Sequence, residues 1–77
     1  MLKSINKIIK NNIFSINIIE NTIDINNFID ITILESNKIV LEIPNGYLRI
    51  YGNNLTVSKL LDKEVMINGS ITSLEFK

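Results

Sequence analysis

Residues 46–77 read GYLRIYGNNLTVSKLLDKEVMINGSITSLEFK, and the fold is decided here. Apolar residues fall at alternate positions: Leu48 and Ile50, Leu55 and Val57, Val65 and Ile67. Glycines interrupt the runs at Gly46, Gly52 and Gly69. Period-two alternation broken by glycine marks short strands with one buried face. Gly52-Asn53-Asn54 predicts a turn or bulge, Asn68-Gly69 a further turn, and Ile71–Phe76 the closing strand.

The same pattern extends upstream. Pro44-Asn45-Gly46 predicts a turn, because Asn-Gly supports positive φ and proline cannot donate to a ladder. Before it, KIVLEI (Lys38–Ile43) turns Ile39, Leu41 and Ile43 inward. Ser36-Asn37 reads as a two-residue hairpin loop. FIDITILE (Phe28–Glu35) places Ile29, Ile31 and Ile33 on one face, opposite Asp30 and Thr32. Ile16/Ile18 and Ile23/Ile25 alternate on either side of a turn at Glu20-Asn21. Turn signals every 6–10 residues or so predict an antiparallel meander, a β-roll or a sandwich of about seven short strands. A β-solenoid is the structural alternative, against which stands the lack of a fixed repeat length.

Residues 1–13 read differently. On a helical wheel Leu2, Ile5, Ile9 and Ile13 fall within about 80° of one another, with Lys3, Lys7 and Lys10 on a neighbouring face. A short amphipathic helix over 2–13 is expected, followed by an all-β domain over 14–77. So short a helix is marginal in water and needs a surface. The domain's own sheet, a partner protein, or an anionic membrane met peripherally would each provide one.

Composition narrows the chemistry. Seventy-seven residues bound the chain to one domain, with no cysteine and no histidine. Thiolate chemistry is therefore excluded, along with the commonest general base and the commonest transition-metal ligands. Eight basic and eight acidic side chains cancel, so no field steers the protein to nucleic acid. Zero net charge with 45% apolar content favours self-association. No 18-residue apolar run and no signal peptide is evident, so a cytoplasmic location is expected.

No nucleophile elbow, phosphate loop or metalloprotease motif occurs. The carboxylates Glu20, Asp24, Asp30, Glu35, Glu42, Asp62, Glu64 and Glu75 fall mainly at solvent-facing positions; Asp24 and Asp30 are the pair alternation makes neighbours across strands. The expectation is no enzyme, no cofactor and no metal. Tyr47, Arg49 and Tyr51 are the candidate interaction surface, since alternation puts all three on one face opposite Leu48 and Ile50. Tyrosine and arginine supply contact area and directional hydrogen bonds at interfaces. The alternative is that Arg49 pairs with Glu42 or Glu75 while the tyrosines cover the sheet. An Ile-rich sheet this small also exposes strand edges, and pairing with another copy would close one, so a homo-oligomer is expected.

The C-terminal half resembles the YabP/YqfC family, whose members end in a pattern close to G-x-L-x-I-x-G-x-x-L-x-I, a polar link, an apolar pair, glycine, and I-x-S-L-x-F/Y. The matching residues here are Gly46, Leu48, Ile50, Gly52, Leu55 and Val57, then Val65, Ile67, Gly69, Ile71, Ser73, Leu74 and Phe76. The resemblance runs from about Asn17 to the end, more loosely upstream. It implies a non-catalytic sporulation protein made in the mother cell and acting by assembly or docking at the developing forespore envelope. It also implies a functional link to a membrane sporulation protein of the YqfD type. No side-chain role carries over, because the matching positions are glycines and core residues. A self-assembling structural β module unrelated to sporulation is the alternative function.

Overall fold

The structure is a computed structural model and describes residues 13–77. Six strands form: β1 (Ser15–Ile19), β2 (Thr22–Asn26), β3 (Asp30–Leu34), β4 (Lys38–Ile43), β5 (Gly46–Leu60) and β6 (Glu64–Phe76). All pair antiparallel in one sheet of order β1-β2-β6-β5-β4-β3. The mainly β antiparallel architecture is as expected, and it is neither a closed barrel nor a solenoid. The helix expected over residues 2–13 lies outside the described residues, apart from Ile13.

Three of the expected turns are where the sequence places them. Glu20-Asn21, Ser36-Asn37 and Pro44-Asn45 each join two neighbouring strands. The other two are bends inside long strands, which is why six strands replace about seven. Gly52 lies opposite Ile71, and beyond it Asn54 and Leu55 together oppose Gly69. Gly69 has φ +144°, and a Cβ there would come within 2.8 Å of the Asn54 carbonyl oxygen. A Cβ on Gly52 would collide with the Ser70 carbonyl oxygen. The two glycines let β5 and β6 crowd together while both bend.

The bend doubles the β5–β6 ribbon back on itself. The Asn27 N–H donates to the Lys63 carbonyl at 2.6 Å, and the Ile29 N–H to the Glu42 carbonyl at 2.8 Å. Two residues reach at most about 7 Å, so the far tip of the ribbon lies within roughly 13 Å of Glu42. Glu42 pairs with Tyr47 at the start of β5. Laid straight, the 15 residues of β5 would measure about 50 Å.

The sheet therefore has two halves that share the ribbon. The β2 half contains β1, β2, the first part of β6 and the last part of β5; the β4 half contains β3, β4, the first part of β5 and the last part of β6. Their inner faces merge into one apolar cluster, with Ile23, Ile25, Val65 and Ile67 from one side and Ile39, Leu41, Leu48 and Ile50 from the other. Phe28, in the connection between halves, is 6% exposed and belongs to the same cluster. No polar or charged side chain is buried among the described residues.

Three bulges adjust the ladders. Thr32 in β3, Ser58 in β5 and Thr72 in β6 are the extra residues. Each hydroxyl donates across its bulge, to the carbonyls of Val40 (3.2 Å), Met66 (3.4 Å) and Tyr51 (3.1 Å). A bulge interrupts the ladder locally, and a hydroxyl at the inserted residue offers the carbonyl opposite a replacement donor. The β3 bulge also changes the expected alternation. Ile33 comes to lie opposite Val40, Ile29 is exposed, and Phe28 takes the buried place.

Candidate functional site

Tyr47, Arg49 and Tyr51 stand on the outer face of the β4 half, because Leu48 and Ile50 between them are wholly buried on the inner face. Each has a defined cross-strand neighbour. Tyr47 lies opposite Glu42, Arg49 opposite Val40 and Glu75, and Tyr51 opposite Lys38 and Ser73. The Arg49 Nη1 is 3.1 Å from the Glu75 Oε1, a hydrogen-bonded ion pair. The Lys38 Nζ sits 5.8 Å from the centre of the Tyr51 ring, at the outer range of a cation–π contact. Tyr47 is exposed, and Tyr51 is half-buried. Of the two acceptors considered for Arg49, Glu75 is the one used. Exposed pairs of this kind contribute about 0–1 kcal/mol, so the row is held mainly by the strands beneath it.

The outer face of the β2 half carries a feature the sequence did not reveal. Asp24 and Asp30 fall in different halves, and the carboxyl beside Asp24 is that of Glu64. Burial, together with the hydrogen bond and charge of Glu64, pushes the Asp24 carboxyl above the ordinary carboxylate range. Glu64 is held below it, chiefly by its hydrogen bond with Asp24 and then by Lys59, whose Nζ is 3.3 Å from the Glu64 Oε1. The Asp24 Oδ1 and Asn68 Oδ1 atoms are shut off from solvent without a hydrogen-bond partner. These residues come from three strands and 45 positions of sequence, so spacing alone gave no signal. Among the described residues no cluster of three or more metal-ligating side chains forms.

At the end of the β2 half, Ser15, Asn26, Asn27 and residues 61–64 surround an open hollow of about 640 Å³. One lysine and two carboxylates line it, a mixture with no preference for either sign of ligand.

Comparison with curated proteins and with solved structures returned no match. The model of the YabP family does match, over residues 13–77, the whole six-stranded sheet with both bend glycines, and the chain belongs to that family.

Proposed function

We propose that this protein acts in sporulation without catalysis, as an assembling or docking module at the developing forespore envelope. The carrying observation is the family match across residues 13–77, since the YabP family is one of sporulation proteins. On this reading the doubled sheet is a rigid body that presents Tyr47, Arg49 and Tyr51 to a partner. It works in the mother cell, peripherally at the forespore membrane, beside a membrane sporulation protein of the YqfD type.

Deleting the gene in its native host, together with any paralogue, tests the reading. The expected result is a large loss of heat-resistant spores with vegetative growth unchanged; normal spore counts overturn it. Tyr47→Ala combined with Arg49→Ala tests the surface. The double variant is expected to stay folded by circular dichroism and to lower spore counts.

A further inference from the structure

Four lengths of strand edge are left unpaired among the described residues: β1, β3, the last part of β5 and the last part of β6. Proteins blunt such edges with bulges and charges. β3 has both, the Thr32 bulge and Asp30. The end of β5 has the Ser58 bulge and Lys59, and the end of β6 has the Thr72 bulge and Glu75. β1 has neither. Its five residues, SINII, pair with β2 without a register shift and carry no charge.

The backbone of β1 has a definite orientation. Ile19 and Thr22 flank the two-residue turn at Glu20-Asn21, so they form the closing hydrogen-bonded pair. Antiparallel alternation then makes Asn17/Asp24 and Ser15/Asn26 the next bonded pairs. The N–H and C=O groups of Ile16 and Ile18 consequently face away from β2. The side chains are unfinished too. Ile18 is 53% exposed although its register partner Ile23 is fully buried, and Ile19 is 67% exposed.

We propose that β1 is a joining edge, along which two copies of this chain pair antiparallel about a two-fold axis at Asn17. The partner is a second copy because the segment complements itself. Ile16 of each copy meets Ile18 of the other, exchanging four backbone hydrogen bonds and bringing four isoleucines together on the inner face. Asn17 meets Asn17, whose amides both donate and accept. Ser15 meets Ile19, and no like charges are opposed. A strongly charged partner finds nothing on β1 to hold, and the zero net charge of the chain leaves two copies without mutual repulsion. This gives the assembly reading its partner; only the link to sporulation rests on that reading.

The test uses the full chain, which has no cysteine of its own. In the proposed register the Asn17 Cα atoms are about 4.5 Å apart, within the roughly 4.4–6.8 Å that a disulfide spans. Mild oxidation of Asn17→Cys is expected to give almost entirely covalent dimer, while Leu34→Cys, at a similarly exposed position on the guarded β3 edge, stays monomeric. In sedimentation equilibrium, Ile18→Lys should weaken dimerisation at least tenfold with an unchanged circular dichroism spectrum, and Leu34→Lys should not. A wild type that stays monomeric at millimolar concentration overturns the proposal, as does equal cross-linking of both cysteine variants. Slow hydrogen exchange at Ile16 and Ile18 in a monomer also overturns it, and assigns the edge to residues 1–12 of the same chain. Spore counts separate the two readings. Loss of the dimer in Ile18→Lys with normal sporulation upholds the edge and removes its role there, whereas a monomeric wild type needed for spores does the reverse.

Discussion

The β4 half and the β2 half share two strands and one core, yet finish their outer surfaces differently. In the β4 half, long side chains bridge neighbouring strands. Arg49 reaches Glu75, Lys38 lies over Tyr51, and Val40 is buried on the outer side beside Ile33 and Arg49. In the β2 half, Thr22, Asp24, Asn26 and Asn68 are short and polar, two side-chain oxygens have no partner, and the outermost strand is unguarded. One half completes its own surface. The other leaves backbone and side-chain groups available, and a shared inner core says nothing about which half will meet a partner.

The most severe way to break the pairing of the halves is at the bend they share. Gly69→Val forces a branched side chain into positive φ and against the Asn54 carbonyl. Backbone strain of about 1–3 kcal/mol adds to the overlap, against a total stability of roughly 4–12 kcal/mol for a domain of this size. The variant is expected to be unfolded at 25 °C by circular dichroism.

Phe28→Ala separates the halves more gently. Removing this buried ring from the connection between them should lower stability by about 3–5 kcal/mol in urea unfolding. A loss below about 1 kcal/mol would show that the halves hold together without it. Thr72→Val keeps the shape but removes the hydroxyl that donates to the Tyr51 carbonyl, and about 1 kcal/mol of stability should go with it.

The smallest effect sharpens the contrast between the outer faces. A carboxyl whose pKa is raised on folding, as for Asp24, contributes stability that is complete below its unfolded value and lost as pH rises through the folded one. Glu64, lowered on folding, runs the opposite way: its contribution is present above the unfolded value and lost as pH falls through the folded one. Asp24→Asn removes a charge the neutral-pH fold disfavours. The variant should melt slightly higher than wild type near pH 7, and the gap should close as acidification protonates wild-type Asp24.

Much of this architecture was legible in the alternation. Ile39, Leu41, Ile43, Leu48, Ile50, Val65 and Ile67 are inward as read, because a strand permits only two directions. The common face of Tyr47, Arg49 and Tyr51 follows from the same rule. Gly52 and Asn68-Gly69 were misread as turns because a reversal and a tight cross-strand contact both require a missing Cβ. Only the strand opposite distinguishes them, and Gly69 meets Asn54 through a pairing no local window contains. The register of FIDITILE failed for a similar reason, since an inserted residue flips everything after it. The unguarded edge was invisible because an edge is defined by strand order, and β2 finds β6 across some 40 residues.

That last pairing has a consequence in time. The strand synthesised last lies at the centre of the sheet, so the hairpin synthesised first has nothing to dock on until residues 64–68 emerge. At about 5–20 residues per second, the interval between making Asn26 and Asn68 is roughly 2–8 s. During those seconds β2 is an edge as open as β1, and neighbouring ribosomes on one message hold identical isoleucine hairpins close together.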